Sequence, residues 1–162
     1  MLALRYAGLI AVAVWVGGLL GLAAVGAPAI FETIDARHVP DGRVLSGAIF
    51  GEVLRRFHLV AYGCGGIVLG SLAARAVLGP RPRRFAVRAG IATAMLAASL
   101  YSGLVVSARI ARSQQELGVA PSSLHEDDPR RAAFGRLHGQ STLLQLVPIL
   151  GGLVLMLFEL RD

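Results

Sequence analysis

Lysine is absent from this 162-residue chain, cysteine occurs once, and charged residues make up only 16% of it, against about 25% in soluble domains. A lone cysteine excludes an internal disulfide and any cysteine-rich metal site, so Cys64, set inside an apolar run, reads as a small buried filler. The missing lysine excludes nothing by itself, because arginine replaces lysine in a GC-rich genome as readily as where guanidinium chemistry is needed. Also missing are a nucleophile–base–acid constellation, a phosphate-binding glycine loop and an HExxH motif, which leaves catalysis with little direct support.

What the chain does have is apolar length. Hydrophobic residues make up 55% of it and the mean hydropathy is +0.65, which is a membrane composition. The net charge of +6 would suggest nucleic acid in a soluble protein. Here the arginines stand at the ends of apolar runs, where they meet lipid headgroups and set topology, so no nucleic-acid partner is expected.

Four uncharged stretches are each long enough for the ~20 residues that cross a bilayer, and they predict an all-α integral membrane four-helix bundle in a single domain, with spans at about 6–31, 48–76, 88–109 and 137–159. The first run, from Tyr6 to Phe31, contains Ala27-Pro28-Ala29, which resembles a signal-peptide cleavage site, but it is longer than the ~7 to 15 apolar residues of a signal peptide. Trp15 lies in mid-run, where its indole N–H needs a partner on another helix, a ligand, or simple packing. Pro40-Asp41-Gly42 is a turn signal with Asp41 as the N-cap, and helical spacing from Val44 onward carries the second helix into the membrane. If that helix enters lipid at Ala48, Arg55 and Arg56 need anionic partners; if it enters at Phe57, they are interfacial anchors.

Between the second and third runs, residues 75–88 carry five arginines and no acid. The positive-inside rule puts this proline-stiffened turn and both termini in the cytoplasm, in keeping with a plasma membrane such as a bacterial inner membrane. In the third run Met95, Ser99, Ser102, Val106 and Arg109 form a weakly polar stripe that should face protein. The fourth run opens with His138, Ser141, Thr142 and Gln145 on one helical face, expected to point into the bundle, and Pro148 is expected to kink the helix below them. His125, in a loop with three acids, reads as a solvated histidine.

The second and fourth helices start on the same side, so His58 and His138 fall at similar depth. Two imidazoles facing each other across a bundle interior would ligate a b-type haem, with Arg55, Arg56, Arg109 and Arg136 pairing its propionates. Two histidines are too few for a closed zinc site. The plainer alternative is that both hydrogen-bond across helices, to Tyr62, Gln145 or Ser102, and lock the bundle. A copper site with a methionine is a third.

The segments Trp15-Val16-Gly17-Gly18, Ala27-Pro28-Ala29-Ile30-Phe31, Phe50-Gly51 through Arg56-Phe57-His58, and Phe134-Gly135-Arg136-Leu137-His138-Gly139 resemble the transmembrane protein 205-like family over nearly the whole chain. That is a domain-of-unknown-function family of four-span membrane proteins, itself distantly similar to the CopD copper-resistance type and the HemJ-type haem-binding protoporphyrinogen oxidases. The resemblance implies the fold more than an activity. HemJ-type proteins place a haem-ligand histidine near the start of the first span, where this chain has only Leu2 to Gly8, so oxidase activity does not carry over. Two functional expectations follow. One is a haem- or metal-binding membrane protein in electron transfer or redox sensing, with His58 and His138 as ligands. The other is a non-catalytic accessory or scaffold subunit, packed in the bilayer as a homo-oligomer or within a larger membrane complex.

Overall fold

The computed structural model describes residues 1–79 and 81–161; Pro80, in the basic turn, and Asp162 lie outside the described residues. The chain is all helical. Four helical spans among the described residues are long and apolar enough to cross a membrane: Leu2–Ala36, Gly42–Leu78, Phe85–Leu117 and Pro129–Leu160. At about 1.5 Å per residue each is roughly 50 Å long, well beyond the ~30 Å hydrocarbon core, so the polar ends project past the lipid tails.

The first span is α1 (Leu2–Gly21) joined to α2 (Ala27–Ala36) by a π turn, Leu22–Gly26. The second is the unbroken α3 (Gly42–Leu78). The third repeats the design of the first, with α4 (Phe85–Tyr101) joined to α5 (Ser107–Leu117) through a π turn, Ser102–Val106. After a short 3₁₀ turn at Pro121–Ser123, α6 (Pro129–Leu160) makes the fourth span. Each π turn inserts one residue, which shifts the faces before and after it by about a quarter turn and lets one helix present two differently oriented stripes.

Asp41 does precede α3, but it sits at φ 53° and its side chain makes no cap bond. The functioning cap belongs to Asp128, whose carboxylate accepts from the Arg130 backbone N–H at 2.8 Å, with Pro129 as the first helical residue. The same arginine's side chain and backbone hold the Asp128 carboxyl below its usual range. Gly118 closes α5 at φ 64°, a left-handed position that suits glycine. Pro148 is buried inside α6, and the helix continues through it.

α1 packs against α3 and α6, and α4 packs against the same two, which makes a four-cornered bundle with alternating directions. Its interior is filled by Trp15 and Met95, both fully enclosed, with Val12, Val68, Leu72, Ala92 and Leu155 around them. Lipid is as apolar as these side chains, so close packing rather than water exclusion must hold the helices together. Gly152 shows how close: a Cβ there would fall on the Val16 side chain and lie 3.3 Å from Val12. The outward residues, among them Ile10, Leu59, Leu104, Leu143 and Leu150, are large, apolar and exposed, as a lipid-facing surface requires.

Candidate functional site

The start of α1, the end of α3, the start of α4 and the end of α6 lie at one end of the bundle, because alternating helix directions put them there. Arg5 is three residues inside the start of α1, Arg75 three before the end of α3, Arg88 three after the start of α4, and Glu159 one before the end of α6. They therefore share one depth, and they meet. Arg75 Nη1 and Arg88 Nη1 each donate to Glu159 Oε1 at 2.8 Å. Arg5 Nε lies 2.9 Å from Glu159 Oε2, and its Nη2 donates to the Glu159 backbone carbonyl. Arg88 Nη2 donates to the Phe158 carbonyl at 2.9 Å. Every span contributes one charged side chain to a single knot.

The knot is buried. Arg88 is 3% exposed, Arg75 and Glu159 14%, and Arg5 35%. The Arg84 and Arg88 guanidiniums also lie over the Phe158 ring, at 5.6 and 5.5 Å, within the range where the ring face attracts a cation. A cavity of about 20 Å³, lined by the four charged residues, Ser71 and apolar neighbours, sits among them; it has room for roughly one water.

A second polar layer lies about 25 Å away along α3. His58 is 4% exposed, and its Nδ1 lies 2.8 Å from the Leu54 carbonyl. A carbonyl only accepts, so Nδ1 carries the proton and Nε2 is left as the acceptor. One face of the ring is covered by the third span: a Cβ on Gly103, inside the π turn, would be 2.8 Å from two ring carbons of His58. Tyr62, one turn on, points its hydroxyl at the Ser99 carbonyl at 3.5 Å. Ser99, Ser102 and Ser141 are buried nearby in the chain's polar stripes, and the Trp15 indole nitrogen and the Ser102 hydroxyl have no hydrogen-bond partner among the described residues.

His138 is not part of this layer. It is exposed, and its ring stacks on Phe134 of the same helix at 6.5 Å. The expected inward face of α6 divides: Ser141 is buried and Gln145 half-buried, while Thr142 joins His138 outside. Adjacent residues differ by about 100° around a helix, so Thr142 falls off the edge of the stripe that Ser141 belongs to. The arginines expected around a haem are also elsewhere. Arg55 and Arg56 are 60% and 75% exposed and pair with Glu52 on their own helix at 2.7 and 2.8 Å; Arg109 and Arg136 are exposed. A haem ligated by both histidines does not fit this arrangement, since His58 faces the backbone of Gly103 and His138 faces outward. Nor do the described residues bring three His, Cys, Asp or Glu side chains together.

Residues 10–118 match the family described as Domain of unknown function (DUF4149). The chain belongs to this family. No curated protein and no solved structure matches it. The match covers the first three spans from residue 10 onward, including His58, Arg75 and Arg88, and leaves out Arg5 at the start of α1 and α6, which supplies Glu159. The DUF4149 chain is thus an integral membrane protein of a family of unknown function, as the resemblance drawn from its motifs implied at that level.

The arginine–glutamate knot escaped the sequence reading. One signal for it was present. Glu159 is the one acid that the described residues place at the basic end, and it closes an apolar run from which a charge would otherwise be excluded.

Proposed function

We propose that this DUF4149 protein is a non-catalytic subunit of a larger assembly in the membrane, such as a bacterial inner membrane, and that the first third of α6 is its contact face. The supporting observation is one exposed helical face that carries Gly135, His138, Gly139 and Thr142 together. Gly135 and Gly139 are four apart, the spacing that lets a second helix approach closely, and His138 and Thr142 offer it hydrogen-bonding groups that lipid tails cannot satisfy. Neither glycine is used inside the bundle, since a Cβ on either would touch nothing within 4 Å.

This separates association from folding. Gly139→Leu should leave the unfolding temperature unchanged and abolish the higher-mass band on a native gel in mild detergent. A photo-reactive residue at Thr142 should crosslink to a neighbouring chain in native membranes, and the crosslink should disappear in Gly139→Leu. A protein that migrates as a monomer and crosslinks to nothing from Thr142 rejects the reading. The competing haem reading would need the π turn of the third span to part from His58 and α6 to turn His138 inward, and an oxidised-minus-reduced absorption spectrum with a b-type band lost in both His58→Ala and His138→Ala would establish it instead.

A further inference from the structure

We propose that the outward face of α3 seats a membrane-spanning helix of a different protein, one that carries an acidic residue where it leaves the lipid tails at the end of the bundle opposite the knot. The proposal rests on the reading of this protein as a subunit of a larger assembly, and it adds a contact at the corner diagonal to α6. The part of α3 that stands outside the bilayer carries the argument. Arg75 and Arg88 mark one membrane boundary, with Arg55 20 residues before the first and Arg109 21 residues after the second. At about 1.5 Å per residue each interval matches the ~30 Å of a hydrocarbon core. Residues 42–54 therefore stand beyond the lipid tails, yet their outward side is apolar. Leu45 and Ile49 are 44% and 38% exposed, and Ala48, Ile49 and Val53 form the floor of an open groove of about 400 Å³ edged by Glu52 and Arg56. Lipid tails do not reach this groove, and a contiguous apolar face left in water marks a contact with another protein.

The same face continues into the membrane. In steps of three and four residues from Ala48 it runs through Glu52, Arg56 and Leu59 to Gly63, Gly66 and Gly70, on the side of the helix opposite to Ala61, Gly65, Val68 and Leu72, which are buried in the bundle. All three outward glycines are exposed, and a Cβ on any of them would meet nothing within 4 Å. The bundle makes no use of their small size, and a second helix can approach closely there. A glycine face alone suits lipid as well as protein; its continuation through an apolar groove in water suits only protein. The charges decide which helix. Arg55 and Arg56, 60% and 75% exposed, both pair with Glu52, so these three side chains leave one positive charge in excess at this level of the face. A second copy of the chain would set the same excess against it at the same depth, because copies inserted in one direction are parallel across their two-fold axis. An Asp or Glu on a different helix balances it, at a level where a carboxylate still reaches water.

The test places a photo-reactive residue at Ala48 or at Gly66 of the full chain in its native membranes; the two positions lie 18 residues apart along α3, or about 27 Å. Both should form adducts with one other protein. Mass spectrometry should map the joined peptides to a single membrane helix of that protein, at points roughly 18 residues apart with an acid between them, because the two helices run side by side. Reversing the charges, as Arg55→Glu together with Arg56→Glu, should lower both yields roughly tenfold, the cost of setting like charges together, and exchanging the partner's acid for arginine should restore them. The substituted positions are all exposed, so the unfolding temperature, read from Trp15 fluorescence, should stay within about 2 °C of the parent. Adducts with peptides of this chain, with lipid alone, or with different proteins from the two positions overturn the proposal, as does a yield that charge reversal leaves unchanged. Thr142 tells failure here from failure of the α6 face: crosslinks from Ala48 and Gly66 without one from Thr142 keep this contact and reject that one, and the converse overturns this one alone.

Discussion

Glu159→Gln should be the most damaging single polar substitution in the protein. The amide keeps the shape of the side chain and removes the negative charge with which Arg5, Arg75 and Arg88 all pair. Three guanidiniums would then lose the carboxylate they share, one of them 3% exposed. Breaking a buried ion pair from one side costs about 3–5 kcal/mol, because the remaining charge stays out of water. For a chain of this length that is a fall of about 10 °C in unfolding temperature. Trp15 reports it directly, being fully buried at the centre of the bundle. Two controls separate this cause from loss of packing. Adding Arg75→Gln to Glu159→Gln lowers the unbalanced charge by one and should recover part of the loss, a coupling that a double-mutant cycle measures. Raising the salt should recover little, since buried charges are screened far less than exposed ones. A Glu159→Gln protein that unfolds within 2 °C or so of the parent, by the same conversion, would show that the knot is not what ties the four spans together.

The bundle was legible because its cause is local: without water to satisfy backbone groups, an apolar run of twenty residues has to be a helix. The polar face of the third span was legible for a related reason, and Met95, Ser99, Ser102 and Val106 are all buried as their spacing implies, while Arg109 beyond them is exposed. The π turns were not legible. Neither Leu22–Gly26 nor Ser102–Val106 contains anything but small and aliphatic residues, and the extra residue in each is a response to how neighbouring helices pack. His138 shows the limit of a helical wheel, which says which residues share a face but not whether that face looks inward. Its match to His58 in local sequence suggested a matched site; in the fold, His58 faces Gly103 and His138 faces out. Arg75 and Arg88 read as members of a proline-stiffened basic turn because the pairing acid lies 71 to 84 residues away in sequence, beyond any local pattern.

Gly103→Leu tests the His58 layer in the same way that Glu159→Gln tests the knot. At Gly103 a Cβ would lie 2.8 Å from two carbons of the His58 ring and fall on the Tyr62 hydroxyl. Neither neighbour is free to yield: His58 is 4% exposed with Nδ1 bonded to Leu54, and Tyr62 reaches for the Ser99 carbonyl. Overpacking of this kind costs about 1–3 kcal/mol per site, and a whole leucine at so tight a contact should reach the upper figure, with Gly103→Ala costing less. Gly139→Leu, on the open face of α6, should cost nothing. The cause can be assigned by rescue. Tyr62→Phe removes the hydroxyl and should restore part of the stability of Gly103→Ala, and His58→Ala should restore more, because it empties the space the new side chain needs. If both rescues work, the imidazole is held by packing against the third span, and any ligand it serves must reach Nε2 without moving that helix. If His58→Ala makes Gly103→Ala worse, the ring contributes through its hydrogen bonds, and the layer is a polar lock between the second and third spans whose strength lies in Leu54, Tyr62 and Ser99 together.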